Sequence, residues 1–271
     1  MIDVWNILIQ QPMINLLFLL YAGLFQNFAV AIVGLTIVVR LLTQPLNRQQ
    51  LRSTKAMQEL QPQIQALQKK YAKDREKLTE ETMKLYRERG INPLGGCLPL
   101  VIQMPIWIAL YQAIIQVLGS APEQLLSLFQ FIYPPLHDLA RQVIPINNHF
   151  LWLRLDQPDP GLPLLPFLPI LIPILPIIVV VTTWVQQKMV SVPVSDPQQA
   201  SMTQTMQWMM PIMFGWFTLS VPSGLALYWV TSGLIGIITQ YFTTGWGGLR
   251  PKPTPARAAR NERKREKKPR G

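Results

Sequence analysis

Apolar residues in this chain gather into runs of about 20, the length that carries a helix across the hydrocarbon core of a bilayer. The first run, Met13 to Leu46, would extend roughly 50 Å as one helix, too long for a single upright crossing. Gln26 and Asn27 divide it, which predicts an outer segment with an interfacial helix over 1–26 and a first span over 27–46. Further spans are predicted over 97–118, 163–189, 205–221 and 225–244, the last two joined by the turn Val221-Pro-Ser-Gly224. The third begins unusually, with Pro163, Pro166, Pro169, Pro173 and Pro176. Proline every third residue suits an extended polyproline-like lead, so regular helix is expected from near Pro169.

Between the first two spans, residues 47–92 are polar with helical periodicity. Met57, Leu60, Ile64, Leu67 and Tyr71 are spaced 3, 4, 3, 4, a coiled-coil-like seam. A second helix from about Asp74 to Arg89 stops at Gly90, and the pair predicts an antiparallel helical hairpin, bent at Pro62. The 119–162 connection contains a surface helix, Glu123 to Arg141, broken by Pro134-Pro135. A polar loop occupies 190–204, and the Pro-rich basic tail, 246–271, is expected to be disordered. The fold class is therefore an all-α membrane protein of five transmembrane helices, with a helical hairpin on one side.

Composition supports this. Charged residues are only 14%, against about 25% in an ordinary globular protein. Their placement sets the orientation. The hairpin carries 11 Lys/Arg and the tail 10, whereas the 119–162 connection has only Arg141 and Arg154. The positive-inside rule makes the hairpin, the 190–204 loop and the tail cytoplasmic, and five crossings then put the N-terminus outside. Met1 to Gln10 lacks Lys and Arg, and neither a signal-peptide nor an organelle-transit pattern is expected.

Arg40 is the only ionisable residue well inside a predicted span, and no span holds an Asp or Glu to neutralise it. Such an arginine either snorkels to the interface or meets water, a visiting anion or a lipid headgroup. Thr36 lies one turn earlier on the same face. Gln103, Gln186, Gln187, Thr231, Ser232 and Gln240 are polar residues that accompany it in the spans, suited either to interhelical hydrogen bonds or to a shared hydrophilic surface. Met202, Met206, Met209, Met210 and Met213 form a stripe that is either core packing or a soft surface for varied apolar segments.

Catalysis finds little in the sequence. His137 and His149 both fall in the outer connection, so no span offers a Ser–His pair or a histidine metal site, and no phosphate-binding glycine loop is present. The lone Cys97 excludes an internal disulfide or cysteine cluster. No enzyme activity, metal or cofactor is expected. The tail's basic run, Arg257 to Arg270, suits anionic lipid or ribosomal RNA.

Two motifs add a resemblance. Asn92-Pro-Leu-Gly-Gly-Cys-Leu-Pro-Leu-Val-Ile-Gln-Met-Pro-Ile-Trp-Ile-Ala-Leu-Tyr111 is similar to the second-span motif of YidC-type membrane protein insertases, and Pro222-Ser-Gly-Leu-Ala-Leu-Tyr-Trp-Val-Thr-Ser232 resembles their last span. Arg40, within Val38-Val-Arg-Leu-Leu-Thr-Gln-Pro45, matches the family's first-span arginine. The resemblance covers roughly 27–245. It implies insertion and folding of nascent membrane proteins in a bacterial inner membrane without ATP hydrolysis, alone or with the Sec translocon. It implies contacts with the ribosome and signal-recognition components through the hairpin and basic tail. It also implies a groove open to cytoplasm and lipid but closed outward, with Arg40 as groove arginine, Thr36 beside it, Phe217 and Trp229 touching the passing segment, and Gln187 and Ser232 as further groove residues. Gln103 joins them as a polar residue of the second span.

Against the family pattern, no large outer domain or lipoprotein-type signal cysteine is expected before the spans, as in the family's short form, and Gly233 stands where Asn is common. Its proline-rich third span is also unusual. Two other functions fit the same residues. A small-anion transporter or channel would use the lone membrane arginine, and a non-inserting assembly chaperone would use the methionine and aromatic surface.

Overall fold

The computed structural model describes residues 2–72, 74–90, 98–119, 122–165, 168–191 and 197–249. The start of the second-span motif (91–97, with Cys97), residues 192–196 of the 190–204 loop and the tail beyond Leu249 lie outside the described residues.

The chain is all-α in architecture. A short helix α1 (Ile2–Trp5) passes through a π-helical turn, Asn6–Gln10, into α2 (Gln11–Gly23). The polar pair that divides the first apolar run is a cap: the Asn27 side chain accepts from the Val30 N–H at 3.2 Å and starts α3. This helix runs from Phe28 to Lys70, 43 residues, through both Pro45 and Pro62. The expected boundary at 46–47 is therefore absent, and the first span and the hairpin's first arm are one helix. Proline removes one helical N–H and crowds the carbonyl four residues back. At Pro45 that carbonyl belongs to Leu41, on a turn where Leu41 and Leu42 are exposed, and the helix continues around the defect.

Asp74 caps the returning helix α4 (Arg75–Glu88) by accepting from the Lys77 N–H at 3.1 Å, and Gly90 (φ +64°) ends it. Leu60 and Ile64 of the predicted seam are buried in the hairpin. The second-span helix α5 (Leu98–Leu118) passes through Pro105. Beyond it, α6 (Pro122–Phe131) and α7 (His137–Val143) are separated at Pro134-Pro135, as the prolines predict.

The proline-rich stretch differs from expectation. Instead of a polyproline lead, β3 (Leu162–Leu165) and β4 (Leu168–Ile172) pair antiparallel, following a smaller pair, β1 (His149–Phe150) and β2 (Leu153–Arg154). A two-stranded ribbon consists only of edges, where proline is tolerated. Helix α8 starts at Ile174 and ends at Val190, with Pro173 as its N-cap and Pro176 in the first turn, whose N–H groups need no helical partner. Helix α9 (Pro197–Thr218) begins eight residues before the expected 205, because its first two turns are polar and the apolar run marks only its membrane-compatible part. Helix α10 spans Ser223–Thr244.

Helix α8 packs between α9 and α10, and α10 packs on α3. Glycines permit this: a Cβ at Gly215 of α9 would strike the Val180 side chain, and one at Gly233 of α10 would press on Thr182. The buried core lies at the end carrying α6, α7 and both ribbons, here the loop end. It includes Phe18, Phe28, Ile32, Leu35, Leu110, Ile114, Leu155 and Tyr228. Among the described residues, Asn6–Gly23, Phe28–Met57 and Ser223–Thr243 are long and apolar enough to cross a membrane, and Gln103–Leu118 and Ile174–Val190 are shorter apolar helices.

Candidate functional site

Towards the hairpin end the same helices separate and enclose a cavity of about 700 Å³. Arg40 of α3 reaches into it. Its Nε donates to Ser232 Oγ at 2.9 Å, and its Nη2 to Ser232 Oγ and to the Ser232 carbonyl at 2.6 Å each. The guanidinium is thus hydrogen-bonded yet not neutralised, since no carboxylate pairs with it among the described residues. A second side chain converges on the same turn of α10: Gln186 Nε2 donates to the Gly233 carbonyl at 2.8 Å. Gly236 makes room for both, because a Cβ there would overlap Gln186 Nε2 and lie 3.4 Å from Arg40 Nη2.

Below Arg40, the α3 face carries Gln44, Asn47, Gln50 and Leu51 into the cavity wall, with Gln187 and Gln240 opposite. These amides donate and accept hydrogen bonds without adding charge. They alternate with the aliphatic side chains of Ile37, Leu41, Val190, Ile235 and Ile238, so the cavity has wettable patches on a partly apolar wall, and among the described residues its one charged lining side chain is the Arg40 cation.

The seven residues expected to form a groove occupy four places. Arg40 and Gln187 line the cavity, with Ser232 bonded to Arg40. The Gln187 amide also contacts Met210 Sδ at 2.9 Å. Thr36 is fully buried, its hydroxyl donating to the Ile32 carbonyl at 2.7 Å, and it does not line the cavity. Gln103 donates to the hydroxyl of buried Tyr228 at 2.7 Å. Phe217 and Trp229 stack in a tilted pair, centroids 5.8 Å apart, within an aromatic cluster completed by Trp107 and Phe214. Trp229 is buried and Phe217 half exposed, so the cluster ends at the surface. The methionine stripe divides too: Met206, Met209 and Met213 are exposed, whereas Met210 turns into the cavity.

Sequence reasoning did not single out Gln44, Asn47 and Gln50. Their spacing from Arg40 along one helical face was available as a signal once α3 was known to continue past residue 46. Among the described residues, no three His, Cys, Asp or Glu side chains converge to hold a metal.

The class defined by this architecture is an all-helical membrane protein with a wettable cationic cavity among its apolar helices. Residues 19–247 match the family described as "60Kd inner membrane protein". The chain is 39% identical over 248 residues to the membrane protein insertase YidC 1 of Halalkalibacterium halodurans, covering 89% of this chain and 79% of that protein. It is 36% identical to the chloroplastic inner membrane protein ALBINO3 of Arabidopsis thaliana, over 83% of this chain and 48% of that protein. A crystal structure of an active YidC insertase with its first transmembrane domain resolved superposes with a TM-score of 0.58 at 29% identity. That match covers 86% of this chain and 46% of the solved one, so the chain spans about half the length of that structure. The chain belongs to the 60Kd inner membrane protein family, which includes the YidC-type insertases, and it is a multi-pass inner-membrane protein.

Proposed function

We propose that the chain is a membrane protein insertase that passes short outer segments of nascent membrane proteins through the Arg40 cavity and releases their apolar helices sideways into lipid. The observation that carries this reading is Arg40 itself, held by Ser232 in a wettable cavity without a carboxylate to neutralise it. A polar or charged segment crossing lipid alone meets a cost of several kcal/mol. A hydrated cavity shortens the lipid path, and its cation attracts acidic segments. The substrate's own apolar helix supplies the driving force, about 25 cal/mol per Å² of apolar surface leaving water, so no nucleotide is required. The insertase names of the relatives support the same reading.

In this account five helices cross the membrane, α3, α5, α8, α9 and α10, with the N-terminus outside and the hairpin and tail in the cytoplasm. The outward closure is the packed loop end. Phe217 and the exposed methionines of α9 meet the passing apolar segment, and Thr36, Gln103 and Trp229 support the wall behind it. The basic hairpin and tail recruit ribosomes, signal-recognition components and anionic lipid, and the insertase works alone or beside the Sec translocon.

Purified protein in liposomes tests this with a short single-span substrate bearing an acidic outer segment, scored by protease protection. Insertion above that in empty liposomes is expected. No gain from well-folded protein contradicts the proposal, and chloride flux without insertion replaces it with the small-anion transporter.

A further inference from the structure

The proline-rich ribbon before α8 has no place in the proposed insertion cycle, and lengths give it one. Helix α8 has 17 residues, and its apolar part before Gln186 is Ile174–Val185, about 18 Å of helix at 1.5 Å per residue. A hydrocarbon core is about 30 Å thick, which leaves roughly 12 Å uncovered if α8 crosses. Strand β4, five residues at about 3.3 Å each, extends roughly 17 Å and joins α8 through Pro173 alone.

Composition points the same way. From Pro160 to Gln187 the chain contains no charged residue, and within 162–172 every side chain is apolar. Such a ribbon standing in water would expose both faces. Among the described residues, the one substantial element contact of β3 and β4 is their own pairing. Leu171 is 57% exposed, and Ile177 and Val181 on one face of α8 are exposed as well. The usual objection to strands in lipid is their unpaired backbone donors. Here Pro163 and Pro169 lack an N–H, so this two-stranded ribbon has two fewer backbone donors to satisfy.

The base of the ribbon is fixed. Asp159 accepts from the Gly161 N–H at 2.9 Å and, through its other oxygen, from the Leu175 N–H in the first turn of α8 at 2.8 Å. Gly161 (φ +82°) lies against the Ile172 backbone, where a Cβ would be 2.9 Å from the carbonyl carbon. The last charge before the uncharged stretch thus clamps both ends of the ribbon to the start of α8.

We infer that the β3–β4 ribbon lies in the lipid of the leaflet at the loop end and completes the membrane crossing that α8 is too short to make. The partner of this surface is lipid acyl chain. The inference rests on the chain's membrane character and does not depend on insertase activity or on which terminus faces outward.

Spin labels on the full chain in liposomes test it. In a Cys97→Ser background, single cysteines replace Pro163 and Leu171, with Val181→Cys as a lipid-facing reference and Arg141→Cys as a water-facing one. Collision with oxygen and with a water-soluble nickel chelate is measured at each label. The expected result is that labels at 163 and 171 match the Val181 site: high oxygen collision and low nickel collision, with 171 nearer the bilayer surface than 181. Nickel collision as high as at Arg141 would overturn the inference and leave the bilayer to thin around α8. Low collision with both reagents would also overturn it, showing the ribbon covered by protein. Leu171→Cys changes an exposed side chain, so it reports even if Pro163→Cys disturbs the strand pairing.

Discussion

The two ends of the same helices behave as different materials. At the loop end, α3 buries Phe28, Ile32, Leu35 and Thr36 in its first three turns, and α10 buries Leu225 to Val230 except Leu227, which is partly buried. Backbone bonds lock the joint: Gln157 offers its carbonyl to both the N–H and hydroxyl of Ser223 at 2.7 Å, and Leu155 accepts from Gly224 at 3.0 Å. Towards the hairpin end, α3 from Ile37 to Leu51 buries no residue completely, and amides are interspersed among the aliphatic side chains. The same α3–α10 contact is thus a seal in one half and borders an open vestibule in the other. The lesson is that the difference is written in side-chain chemistry along each helix rather than in a change of topology.

The contrast breaks most visibly in the core. Leu110→Ala or Phe18→Ala is expected to cost about 3–5 kcal/mol, because close-packed interiors collapse poorly around a lost side chain. Leu42→Ala, at the open end, should change stability little. Denaturant unfolding in mixed micelles measures both, and equal effects would erase the distinction. Next is the loop-end clamp. Asp159→Ala removes charge-assisted bonds to Gly161 and Leu175, at an expected cost of about 2–3 kcal/mol. Asn at the same position should recover part of it.

At the vestibule, Gly236→Ala forces a methyl into the space of Gln186 and beside Arg40. Overpacking of this kind costs about 1–3 kcal/mol, and the expectation is impaired insertion with the loop-end core intact, read by protease protection beside a melting curve. The smallest effect lies in the hairpin. Burial raises the Tyr86 phenol above its ordinary value near 10. The neutral phenol is favoured in the folded hairpin, so the contribution is present below pH 10 and lost as pH rises through the raised value. The group is only half-buried, which keeps the effect below about 1 kcal/mol. Tyr86→Phe should abolish that alkaline loss in hairpin thermal melts followed by circular dichroism.

Much of the helical framework was legible because its boundaries depend on local chemistry. Asn27 divides α2 from α3 by capping, Gly90 ends α4, and Pro134-Pro135 splits the surface helix. Boundaries set by longer-range effects were not legible. A boundary was expected at 46–47, where the apolar run gives way to polar residues, yet the helix continues through Pro45 and Pro62 because a helix can lose one bond and go on. Period-three proline suggested an extended polyproline-like lead, and the pairing of β3 with β4, which makes it a ribbon, is not visible in proline spacing. At the site, Arg40 stood out because no span carries an opposing carboxylate. Its bond to Ser232 crosses 192 positions of sequence and depends on α3–α10 packing that periodicity cannot specify. Thr36 shows the converse: a correct helical face placed it near Arg40, but its hydroxyl turned back to the Ile32 carbonyl.

The central claim, that the uncompensated Arg40 charge conducts acidic segments, is tested by one comparison in liposomes. Substrates identical except for an acidic or a neutral outer segment are offered to wild type, Arg40→Ala and Arg40→Lys, and insertion is read by protease protection. The account predicts that Arg40→Ala loses most insertion of the acidic substrate and much less of the neutral one, while Arg40→Lys retains much of both. If Lys is as defective as Ala, or if Ala affects both substrates equally, charge attraction by Arg40 is contradicted.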